Sequence, residues 1–114
     1  MVNVHYRRGV RVERIAQKEF EERGYLVVRS SGSHSLFDLV CIPMAGFGLS
    51  PDVLGLQLKC TAQFDKSSYK KDLETLRAFR SACPLLVACL WVWEDYSGWV
   101  LKAEFHSPCA PVEA

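Results

Sequence analysis

Long apolar runs are missing from this 114-residue chain. No stretch approaches the roughly 18 uninterrupted apolar residues of a membrane helix, so no membrane partner is expected. Paired cysteines are missing as well. The five present (Cys41, Cys60, Cys83, Cys89, Cys109) are odd in number and none stand as C-x-x-C, which excludes a disulfide framework or zinc ribbon. Cys41, Cys60 and Cys89 lie in apolar stretches, where a thiol behaves as a small hydrophobe, and no neighbouring base makes one a nucleophile. The opening Met1-Val-Asn-Val-His-Tyr-Arg-Arg lacks an apolar leader core, and with the reduced cysteine pattern a cytoplasmic location is expected. Internal repeats, low-complexity tracts and histidines at metal-ligand spacing are absent too. His34, in a Gly-Ser-His-Ser loop, can touch a phosphate; His5 and His106 are terminal, and an ordinary surface role is the alternative for each. An excess of one charge is the last absence, with 14 basic against 13 acidic residues for a net +1.

What is present is ordinary globular composition, 49% hydrophobic and 24% charged, in a length typical of one domain. Residues 1–106 are expected to form that domain and residues 107–114, with two prolines, a loose tail. Val10–Arg23 reads as a helix because Val12, Ile15, Ala16 and Phe20 share one face, with Gly24 as its stop. Tyr25–Ser30, Leu36–Ile42 and Val53–Cys60 read as strands, and the Gly- and Pro-rich segment 43–52 as a long turn compatible with an antiparallel hairpin. A second helix is expected over Ser67–Ala82, carrying Leu73, Leu76, Ala78 and Phe79 and closed by Pro84. Leu85–Trp93 is nearly all apolar, as in a strand covered on both faces, and Gly98–Phe105 is the last strand. The order α-β-β-β-α-β-β implies an α/β fold, a mixed β-sheet flanked by two helices. Trp91, Trp93 and Trp99 suit a packed sheet face or a dimer interface better than base stacking.

The neutral total hides two basic clusters. Arg7, Arg8, Arg11, Arg14 and Lys18 open the chain against Glu13 alone; Lys66, Lys70, Lys71, Arg77 and Arg80 follow, diluted by Asp72 and Glu74. Such clusters are compatible with a polyanion partner and equally with a solvated face. More unusual is Asp38, set among apolar strand residues, where a carboxylate needs compensation. In the next strand Gln57 and Lys59 share one face, because side chains alternate, so a hairpin would bring them beside Asp38. Two readings stay open: a partly buried Asp38–Lys59 ion pair, or a site in which Asp38 and the Gln57 carbonyl hold Mg²⁺ while Lys59 serves the attacking water or the phosphate. Pro51-Asp52 stands too few residues before Gln57 for a turn and a return strand, so Asp52 belongs to the loop.

Taken in order, Arg8-Gly-x-x-x-Glu13-Arg14, Gly24-Tyr-x-Val-Val-Arg29-Ser-x-Gly-Ser, Asp38-Leu-Val and Gln57-x-Lys59 resemble the archaeal Holliday-junction resolvases of the PD-(D/E)xK nuclease superfamily. The likeness runs from Arg7 to Thr61 and more weakly through the second helix and the following strand. It implies a restriction-endonuclease-like core in which Asp38 holds the metal, Lys59 is the catalytic lysine and Glu13 completes the metal shell. Arg7, Arg8, Arg14 and Arg29 would contact DNA phosphates, with Ser31, Ser33 and His34 in a loop that closes on the backbone. For Glu13 the alternative is a solvated acid in the first turn of its helix.

Two positions depart from that pattern. Phe37 replaces the proline before Asp38, without consequence for ligation, and Gln57 stands where a glutamate is usual. The amide carbonyl still suits a hard cation, but the site loses one negative charge, and weaker Mg²⁺ binding is expected. The resemblance thus implies a Mg²⁺-dependent endonuclease (Mn²⁺ as substitute) acting on four-way DNA junctions in recombination and repair. A homodimer is expected, since two opposed cuts need two sites. A silent DNA-binding module of the same fold, motivated by Gln57, and a nuclease for ordinary duplex are the alternatives.

Overall fold

The computed structural model describes residues 4–30, 36–107 and 111–113, with backbone alone for 4–8. Helix α1 spans Val4–Arg23 and starts six residues before the apolar periodicity does. That first stretch is polar and basic, so periodicity carries no signal for it. Val12, Ala16 and Phe20, one turn apart, are buried against the sheet. The helix stops at Gly24, whose φ of +106° only glycine adopts at little cost. Glycine is required there twice over, because the Phe47 ring lies 2.3 Å from where a Cβ would stand.

Strands β1 (Tyr25–Arg29), β2 (Leu39–Pro43) and β3 (Val53–Thr61) form an antiparallel meander. A 3₁₀ turn at Lys66–Tyr69, capped by Asp65 Oδ1 on the Ser67 N–H at 3.1 Å, leads into α2 (Lys70–Ala82). The second helix therefore begins three residues later than expected. The chain crosses over to β4 (Leu86–Glu94), parallel to β3, and returns as β5 (Gly98–Phe105). In the segment expected to be a loose tail, Val112–Glu113 form a short β6 on β5, held by a Lys66 Nζ–Glu113 Oε2 ion pair at 3.0 Å. The result is one mixed six-stranded sheet in the order β1-β2-β3-β4-β5-β6 with a helix on each face, the α/β architecture expected.

Each helix covers its own part of the sheet. Ala16 and Phe20 of α1 pack on Leu39, Cys41, Leu54, Leu56, Cys89 and Trp91. Leu76 of α2 packs on the opposite face with Phe37, Leu90, Val92, Leu101 and Phe105. Strand β4 is buried on both faces from Val87 to Val92, as its continuous apolar run requires. Trp91 lies in this core at 1% exposure, with Trp99 edge-on at 5.2 Å, so the tryptophans serve sheet packing. Full burial of a large apolar side chain is worth roughly 1.5–3 kcal/mol, so these two layers supply the main stabilisation.

Candidate active site

The site forms where β2 and β3 part. Asp38 is not inside the strand, as expected, but immediately before it, and its backbone serves both neighbours. Its carbonyl accepts the Ser30 N–H at 2.9 Å, and its N–H donates to the Leu56 carbonyl at 2.8 Å. A regular antiparallel residue would give both groups to one neighbour. This turn of the peptide leaves the Leu58 N–H without a backbone partner on β2, and Asp38 Oδ2 accepts it at 2.7 Å. The carboxylate is thereby fixed on the peptide that joins Gln57 to Leu58. A side chain doing the work of a missing strand residue is why an acid is tolerated at this half-buried position.

Leu54, Leu56 and Leu58 point into the α1 layer, so alternation sends Gln57 and Lys59 to the α2 side. Gln57 Oε1 is buried and has no hydrogen-bond partner among the described residues. An unpartnered, buried amide oxygen on the strand to which Asp38 is hydrogen-bonded is the kind of hard ligand that Mg²⁺ takes, and the residue types present fit such an ion. Among the described residues no three His, Cys, Asp or Glu side chains cluster as a metal cage, so any ion here would rest on few protein ligands and several waters. Lys59 does not form the expected alternative pair with Asp38. Its described partner is Asp72 of α2, with Nζ 3.9 Å from Oδ1.

Glu13 faces β1, where its Oε2 accepts from Arg29 Nη2 at 3.1 Å. The α1 acid and the β1 arginine are therefore brought together, and Glu13 is not a free first-turn acid. Arg14 is exposed on the same helix. The side chains of Arg7 and Arg8, and all of Ser31, Ser33 and His34, lie outside the described residues. Asp52 sits in the loop before β3 and accepts from Ser50 Oγ at 2.8 Å. His106 pairs with Glu104 at 3.1 Å, a surface contact.

The two buried thiols, Cys41 and Cys89, are poor nucleophiles. Burial pushes Cys41 up to about 12 and Cys89 well above its ordinary value. The residue that sequence reasoning passed over is Asp72, noted only as diluting a basic cluster. Thirteen positions separate it from Lys59, and no local spacing signals their meeting.

With the geometry in view, the fold has a solved counterpart. The chain is similar in structure to a Holliday junction resolvase from Archaeoglobus fulgidus, an archaeal hyperthermophile, with 20% identity and a TM-score of 0.55 over 86% of this chain and 71% of that one. At this identity the likeness is one of fold. No family model and no curated protein matches the chain.

Proposed function

We propose that this protein is a structure-selective DNA endonuclease that hydrolyses phosphodiester bonds in four-way junctions, with roles in recombination and repair. One observation carries the reading. Where β2 and β3 part, Asp38 Oδ2 accepts the N–H of Leu58, the residue after Gln57, whose buried carbonyl oxygen has no partner among the described residues, and Lys59 shares the Gln57 strand face. The fold shared with a resolvase supports the same conclusion.

Asp38 and Gln57 would hold Mg²⁺ or Mn²⁺, and a bound ion of this kind lowers the pKa of water and offsets phosphate charge. Asp38 is positioned by the Leu58 N–H and needs no reorganisation to present its carboxylate. Lys59 places an ammonium beside the reacting phosphate, where it offsets the charge that develops as the water oxygen adds to phosphorus and the sugar oxygen leaves. Arg29, oriented by Glu13, and exposed Arg14 would bind backbone phosphates. Recognition would read backbone shape rather than base edges, so binding falls steeply with salt. Two opposed cuts require two sites. The edge strand β1 exposes Leu26 and Val28, apolar surface of the kind a two-fold partner covers.

The test is cleavage of a four-way junction and of a linear duplex of equal length, each with Mg²⁺ and Mn²⁺, by wild type and Asp38→Asn. The expected result is junction cutting by wild type, reduced about 10²–10³-fold in the variant with junction binding kept. Equal cutting by both proteins removes the site, and preference for linear duplex changes the substrate. The neutral Gln57 favours one second reading, a silent junction-binding module; cleavage by Gln57→Glu alone would select it.

A further inference from the structure

We propose that Asp72, in the first turn of α2, supplies the negative charge that Gln57 lacks, and that it acts as the positioning residue for Lys59. This rests on the nuclease reading above. A glutamate at position 57 would stand two residues from Lys59 on the same strand face, within reach of its ammonium. Glutamine there provides no counter-charge, and its carbonyl oxygen has no partner among the described residues. The carboxylate that meets Lys59 comes instead from the helix, with Asp72 Oδ1 at 3.9 Å from Nζ.

The fold makes this substitution available. Parallel pairing sets Gln57 beside Leu90 and Lys59 beside Val92, and both β4 residues lie in the layer that α2 covers. Leu73, the residue after Asp72, packs against that same layer. The helix start is thereby anchored over the end of β3 that carries Lys59. Both members of the pair are partly screened from water, at 41% and 31% exposure, and at 3.9 Å the contact is loose enough to stay open to a substrate phosphate. Without Asp72 the ammonium loses its tether, and an uncompensated positive charge faces any divalent ion held by Asp38 and Gln57.

The experiment compares wild type, Asp72→Asn, Asp72→Glu and the double variant Asp72→Asn/Gln57→Glu, with Glu74→Gln as an exposed control on the same helix. Three readouts are taken: junction cleavage under single-turnover conditions, Mn²⁺ affinity by electron paramagnetic resonance, and the Lys59 ammonium signal in ¹H–¹⁵N spectra. Asp72→Asn is expected to lower the cleavage rate and Mn²⁺ affinity about tenfold each while junction Kd stays unchanged, as for loss of one charge at a hard-cation site. The Lys59 signal should move or broaden. Asp72→Glu should keep part of the activity, and the Gln57→Glu double variant should recover it by returning the carboxylate to the strand.

Wild-type behaviour of Asp72→Asn in rate and Mn²⁺ affinity would overturn the proposal. So would a loss that Gln57→Glu does not repair, since that marks a merely structural residue. If no protein in the set cuts any DNA, the nuclease reading fails on its own, and the Lys59 signal still decides the pairing: unmoved in Asp72→Asn, it refutes it.

Discussion

The two halves of β3 are the instructive contrast in this molecule. From Leu54 to Leu56 the strand is flanked by β2 and β4 and is buried on both faces. From Gln57 to Thr61 it keeps β4 but loses β2, and every residue becomes half-exposed. The backbone geometry continues unchanged, while the chemistry that the positions tolerate does not. Where both neighbours are present, only Leu and Gly fit. Where one is missing, an amide, an amine and a borrowed carboxylate can gather at the edge of a rigid sheet. A site built on a strand half of this kind has a precise frame on one side and access for a large ligand on the other.

Substitutions along the strand test that contrast. The largest effect is expected at Leu56, fully buried between the layers: Leu56→Ala should cost about 2–5 kcal/mol in urea unfolding. Next comes Gly55→Ala, whose added methyl would stand 2.7 Å from Leu86 Cδ2 and 2.9 Å from the Phe37 ring. It should destabilise by about 1–3 kcal/mol on the same measure. Two residues further the sign reverses. Gln57→Met removes an orphaned carbonyl and should raise stability by about 1 kcal/mol while weakening Mn²⁺ binding. A stability loss at Gln57 comparable to that at Leu56 would erase the distinction between the halves.

The smallest effect lies at the open end of the strand. Glu94 pairs with Thr61, and its carboxylate accepts the Phe64 N–H at 2.7 Å. That backbone hydrogen bond, helped by Ser97, holds the carboxyl below its ordinary value of 4.5. A lowered folded-state value means that the contribution is complete above about pH 4.5 and is lost as pH falls through the lower folded value. Glu94→Gln should therefore show a smaller drop in Tm between pH 7 and pH 3 than wild type.

Much of the architecture was legible because it follows from local pattern. The Val12, Ala16 and Phe20 spacing, the stop at Gly24 and the apolar run of β4 each state their structure within a few residues. The start of α1 at Val4 and the two-residue β6 were not, because neither has a pattern of its own. Both depend on neighbours that the chain supplies elsewhere. Within the site, the shared face of Gln57 and Lys59 was legible from strand alternation, and the pairing of the Asp38 segment with that strand from the hairpin. The turned peptide at Asp38 was not: which hydrogen bonds a strand end keeps is decided by where its neighbour stops.

By itself, the sequence determined the order of helices and strands, the apolar faces that each would bury, and the three polar residues that an apolar hairpin would have to accommodate. Tertiary structure alone decided which charges meet. Lys59 finds Asp72 rather than Asp38, and Glu13 finds Arg29, because packing of α2 on β4 and of α1 on β1 sets those distances. Local propensity acts over a few bonds, whereas an ion pair between elements exists only once two buried surfaces have fixed the frames that carry it.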